Sequence, residues 1–151
     1  MLVIVVSARD LQAASISTKS VFGDLSGQMQ SFAKDTKSIG LSTLEATQAI
    51  NFMGTSLQGN GLTVDDAAEK TKNLISLSAD LSATFGRDIP ETLTAMGAVF
   101  RGEYDPIEKF GVAIKQAQVN ALLMERGQSK LTGSAKAAAS AQARYDLMMQ
   151  A

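Results

Sequence analysis

The chain has 151 residues, 45% of them hydrophobic, with 14 basic against 15 acidic side chains and a net charge of −1. That length fits one domain, or one and a fraction, and is enough to bury a core. The charge balance gives no electrostatic case for nucleic acid or an anionic membrane surface. Cys, His and Trp are all 0, which removes disulfides, thiol nucleophiles, imidazole acid–base chemistry and most zinc sites.

The dense apolar run Met1-Leu-Val-Ile-Val-Val6 has no preceding basic residue. It is too short for a signal core or a membrane span. It reads as a short strand, a helical lead-in or the accidental start of an abbreviated reading frame. Ser7 to Ser20 is rich in Ser, Ala and Thr without clear period, so 1–21 is expected to be a poorly ordered or marginally helical approach. The helical segment is placed at 22–151.

From residue 22 the chain is punctuated for helices. Ser42-Thr-Leu-Glu45 has the form of a capping box, and Thr63-Val-Asp-Asp66, Asp88-Ile-Pro-Glu91 and Asp105-Pro-Ile-Glu108 repeat its logic. Pro90 and Pro106 fall in first turns, where a missing N–H costs nothing. Stops fall at Gly40, Gly59-Asn60-Gly61, Gly86, Gly102, Gly111 and Gly127. Apolar and small residues recur at helical spacing: Ala46, Ala49, Ile50, Met53 and Leu57; Val64, Ala67, Thr71, Leu74, Ser78, Leu81 and Phe85; Leu93, Met96 and Phe100. Two further stripes are Ile114, Ala117, Ala121 and Met124, and Ala138, Ala141, Tyr145 and Met148. The fold is therefore expected to be all-α, a helical bundle or array with no substantial sheet. Helices are placed at 22–39, 43–57, 64–85, 90–101, 106–110, 113–126 and 133–150. The seams are rich in Ala, Ser, Thr and Met, which predicts a shallow core and packing against other copies or the rest of the chain.

Motifs that carry chemistry have simpler explanations here. Ser31-Phe-Ala-Lys34 has Ser–Lys acylase spacing, but the companion elements are missing and it reads as a solvated helix face. Gly59-Asn-Gly61 lacks the third glycine of a dinucleotide loop and reads as a turn. Asp65-Asp66 and the pair Glu103 and Asp105 sit at helix starts, where carboxylates serve the cap and dipole. Lys70 and Lys72 read as a solvated face. No catalytic, cofactor or metal residue is assigned.

Several runs in the second half carry a resemblance. Leu74-Ile-Ser-Leu-Ser-Ala-Asp-Leu-Ser-Ala83, Phe100-Arg-Gly-Glu-Tyr-Asp-Pro-Ile-Glu-Lys-Phe-Gly-Val112, Lys115-Gln-Ala-Gln-Val-Asn-Ala-Leu122 and Ala141-Gln-Ala-Arg-Tyr-Asp-Leu-Met148 are similar to the tape measure proteins of long-tailed bacteriophages and prophages. The likeness spans about 22–150. Its structural motif is Phe100, Arg101, Gly102, Asp105, Pro106, Phe110, Gly111, Arg144 and Tyr145. One departure is Gly133-Ser-Ala-Lys136, where the family usually places acidic residues.

The resemblance implies a non-enzymatic structural protein that templates tail-tube assembly and sets tail length. Its partners would be other copies of itself, tail-tube and tail-tip proteins, and tail assembly chaperones. It would lie in the phage tail lumen, after assembly in the host bacterial cytoplasm. Even one unbroken helix of 151 residues would reach only about 230 Å, so a local module of a longer ruler is expected. A free-standing helical adaptor is the alternative, and a cell-wall hydrolase using two carboxylates a third reading. Within the motif, Phe100 and Phe110 are expected to anchor a sharp joint between two helices.

Overall fold

A computed structural model describes residues 2–150, with side chains throughout except at 2–8, 37 and 38. Eight α-helices follow one another among these residues: α1 (Leu2–Phe22), α2 (Ser26–Asp35), α3 (Thr43–Gly59), α4 (Val64–Phe85), α5 (Ile89–Phe100), α6 (Asp105–Glu108), α7 (Gln116–Glu125) and α8 (Gly133–Met149). Short 3-10 turns at Gly23–Leu25 and Thr36–Ile39 bound α2, which corrects the single helix expected over 22–39: Phe22 ends α1, and the left-handed φ of Gly23 separates it from α2. No strand occurs among the described residues, so the fold is all-α.

Local chemistry sets most helix ends. Ser42 Oγ accepts the Glu45 N–H at 3.1 Å, and Glu45 Oε1 accepts the Ser42 N–H at 3.1 Å, which completes the expected box. Thr63 and Asp88 cap α4 and α5 by accepting from Asp66 and Glu91 N–H at 3.2 and 2.7 Å. At the end of α5, Glu103 N–H reaches Ala98 O and Gly102 N–H reaches Val99 O, each at 2.9 Å. This double bond pair requires a left-handed residue, and Gly102 supplies it with φ +82°. The same pair closes α3 across Gly61 and Leu62, and α7 across Gly127 and Gln128.

Two expectations at helix ends need correction. Asp105 does not cap α6: Tyr104 is the N-cap residue, without a side-chain cap bond, and Asp105 is already in the first turn. The fixed φ of Pro106 belongs in that same turn, which leaves Asp105 inside the helix. The second concerns 113–126, where α7 starts only at Gln116, 112–115 has no regular structure and Lys115 is extended. The stripe Ile114, Ala117, Ala121 and Met124 is therefore out of phase. Ile114 is buried ahead of the helix, Ala117, Ala121 and Met124 are exposed, and α7 buries Val119 and Leu123 instead.

The stretch expected as a lead-in is itself the first helix, with Leu2 to Val6 inside it. Side chains of that apolar run lie outside the described residues. Further along, α1 is fixed to α3 by a polar contact. Thr18 is buried and its hydroxyl lies 2.9 Å from Ala14 O and 2.7 Å from Asn51 Oδ1, while Asn51 Nδ2 donates to Ala14 O at 2.9 Å. Gln58 Nε2 closes the far end on Val21 O at 2.8 Å. Ala14, Thr18 and Phe22, spaced by four, form the inward edge.

Helix α3 lies in the middle, with α1, α2, α4 and α5 packed against it. One core runs through the chain from Phe22 and Met29 through Ile50, Met53, Leu74 and Met96 to Phe100, Phe110 and Met148. The small-residue seams are part of it: Ala46, Met53, Ala141 and Met148 are fully buried within the chain. Ala49 and Ala138, in the same seams, are partly buried.

Candidate functional site

The residues singled out by the sequence converge on the joint between α5 and α6 and on one turn of α8. Phe100 ends α5 and is buried; Gly102 then turns the chain, and Ile107 and Phe110 return into the same core, both with no exposed surface. Phe100 and Phe110, the two rings expected to anchor the joint, are thus buried in one core. Gly111, φ +77°, ends the joint directly under the Phe85 ring, where a Cβ would stand 2.7 Å from the Phe85 Cζ. Arg101 stays outside and pairs with Glu103 at 3.5 Å, both more than half exposed. From the base of α5, Glu91 holds Arg87 at 3.1 Å and Lys109 at 3.5 Å.

Successive residues of α8 reach three different elements. Arg144 Nε donates to Tyr104 Oη at 3.0 Å, and Arg144 Nη1 lies 3.5 Å from Phe100 O. The Arg144 guanidinium also lies 6.0 Å from the centre of the Tyr104 ring. Tyr145 accepts from Asn73 Nδ2 at 2.8 Å, and Lys70 Nζ stands over its ring at 5.1 Å. Asp146 receives Arg126 Nη2 at 2.7 Å and Gln142 Nε2 at 3.0 Å. Arg144, Tyr145 and Asp146 thus bind α8 to the joint, to α4 and to α7. This placement corrects the reading of Lys70, whose charge is turned to an aromatic face.

Tyr104 is the member that residue-by-residue reading did not single out. Its hydroxyl takes the Arg144 N–H and donates to Gln116 Oε1 at 2.6 Å, so it joins the starts of α6 and α7 to α8. Gln118 likewise closes the start of α7 by accepting the Lys115 N–H at 2.9 Å. These hydrogen bonds hold the starts of α6 and α7 against α8.

Elsewhere, Ser31 and Lys34 are both exposed on α2, as a solvated face requires. Among the described residues, no cluster of three or more His, Cys, Asp or Glu side chains is arranged to hold a metal. No described helix is long and apolar enough to cross a membrane. The open surface bears a groove of about 600 Å³ where α1 meets α3, bordered by Ser17, Asn51, Phe52, Thr55 and Arg101. Phe52 also borders a cleft of about 330 Å³ between α3 and α5, with Leu41, Pro90 and Leu93.

No protein-family model, no curated protein and no solved structure matches this chain. The fold and the joint define a compact all-helical domain whose helices pack against one another.

Proposed function

We propose that this chain is a helical assembly module, acting through contacts with other proteins. The observation that carries this reading is a set of large apolar side chains left outside a closed core. Ile16 is 65% exposed, Phe52 42% and Met124 72%, and such side chains gain most when a partner covers them. The direct test is self-association and cross-linking of the purified chain against Phe52→Ser and Met124→Ser variants. Loss of association with retained helicity supports the reading; monomers throughout, with no partner captured at these positions, oppose it.

Within that class, the proposed setting is a segment of a phage or prophage tail tape measure protein. Support comes from the resemblance, whose Phe100–Val112 and Ala141–Met148 runs supply the α5–α6 joint and the α8 contacts. A family likeness concentrated on residues that set tertiary geometry is what a retained module requires. Helices interrupted this often suit a local folded module of the tail better than the measuring rod itself. The proposed partners are other copies, tail-tube and tail-tip proteins and the tail assembly chaperones. In-frame deletion of this segment, with tails imaged by electron microscopy, is the test. A shortening no larger than the module's own span is expected, and a disproportionate loss would make the segment the ruler. The reading assigns no catalytic role, and a cell-wall clearing assay with purified protein checks that.

A further inference from the structure

We infer that α7 and α8 form an arm that docks on the remaining helices and opens as a unit, latched by the hydroxyls of Tyr104 and Tyr145. The two helices pack on each other and share the Arg126–Asp146 pair, α8 also meets α4 and α5, and α7 adds Val119 and Leu123 to the common core. The docking face of α8 is built largely from Ala139, Ser140, Ala141 and Ala143, with Tyr145 and Met148 as its large buried side chains. Alanines withdraw little apolar surface, so this interface is weaker per turn than the Leu, Ile, Met and Phe contacts around α3.

What compensates is polar. Tyr104 Oη receives Arg144 and donates to Gln116, tying both arm helices to one hydroxyl. Asn73 on α4 holds Tyr145. The connection at 112–114 suits a pivot, because none of its N–H or C=O groups makes a backbone–backbone hydrogen bond, and Val112 and Ile114 anchor it by side-chain burial. At the other end, Gly61 admits the first turn of α8. A Cβ there would stand 3.1 Å from Ser134 O, so the arm seats against bare backbone. Once undocked, helices of 10 and 17 residues are marginal in water, so opening registers as loss of amide protection across the arm.

The experiment is hydrogen exchange of the full chain followed by mass spectrometry, with Tyr104→Phe, Tyr145→Phe and Asn73→Ala variants. These keep the rings or the body of the fold and remove only the latch bonds. In the unmodified chain, α7 and α8 should exchange together and faster than α3. Tyr145→Phe and Asn73→Ala should each speed the arm about five-fold, the size expected for one lost hydrogen bond, and Tyr104→Phe, which loses two, should speed it more, with α3 unchanged. Spin labels at Asp80→Cys and Met124→Cys, both exposed positions, should report a longer-distance population that grows in the same variants. Exchange of α8 at the rate of α3, variants that accelerate both equally, or variants without effect on the arm would each overturn the inference. None of these readouts depends on the phage assignment.

Discussion

The ring of Phe22, at the end of α1, sits directly on Gly54 of α3, in the space a Cβ at Gly54 would occupy. Phe52 stands the same way over Gly97 of α5, where a Cβ would lie 2.7 Å from its Cζ. The two pairs differ in what the ring can do if its seat is filled. Phe22 has no exposed surface, whereas Phe52 is 42% exposed and can swing outward.

Alanine at the two seats should therefore give opposite outcomes. Replacing a mid-helix glycine by alanine favours the helix by about 1 kcal/mol. Gly97→Ala should be nearly neutral, with Phe52 displaced. Gly54→Ala should cost about 2 kcal/mol net, because an enclosed ring leaves the overpacking unrelieved. Urea unfolding measures both, and Phe22→Leu should recover part of the Gly54→Ala loss.

Removing the ring at the joint tests the aromatic anchor. Phe110 is fully buried, so Phe110→Ala should cost about 3–4 kcal/mol. In a chain of this size that lowers the melting temperature by roughly 6–16 °C. A shift under about 2 °C would mean the site collapses around the deletion.

The caps supply an internal control. Ser42→Ala and Asp88→Ala each remove a side-chain acceptor from a helix N-terminus and should each cost about 1 kcal/mol. Asp105→Ala removes no cap bond and should change stability by less than about 0.5 kcal/mol. Equal losses at Asp88 and Asp105 would contradict the geometry at Tyr104.

The Arg126–Asp146 pair is part-exposed, and Gln142 holds the second carboxylate oxygen. Arg126→Ala should cost about 0.5–1 kcal/mol at low salt. The difference should shrink towards zero in 1 M salt, where the screening length is about 3 Å. Thermal melts of both proteins at the two ionic strengths give the comparison.

Helix positions between residues 43 and 110 were legible because their signals are local. A cap bond links residues three apart, and a glycine stop needs only its own φ and the preceding turn. Hence Ser42–Glu45, Thr63–Asp66, Asp88–Glu91 and the Gly102 stop read directly from the sequence. The fold class follows from the same signals, repeated along the chain. Tertiary structure decided the rest. Helix α1 was expected as no more than a poorly ordered or marginally helical approach because its inward edge, Ala14, Thr18 and Phe22, has little hydrophobic contrast, and Asn51, 37 residues from Ala14, completes it. The α7 stripe failed because Val112 and Ile114 are buried ahead of the helix, which begins only at Gln116 and so has a different phase. Arg144 and Tyr145 could be picked out as a motif, but their partners Tyr104 and Asn73 lie 40 and 72 residues away. No periodicity encodes which distant hydroxyl or amide a side chain will meet; that depends on how the helices stack, and stacking is settled by the fit of whole faces.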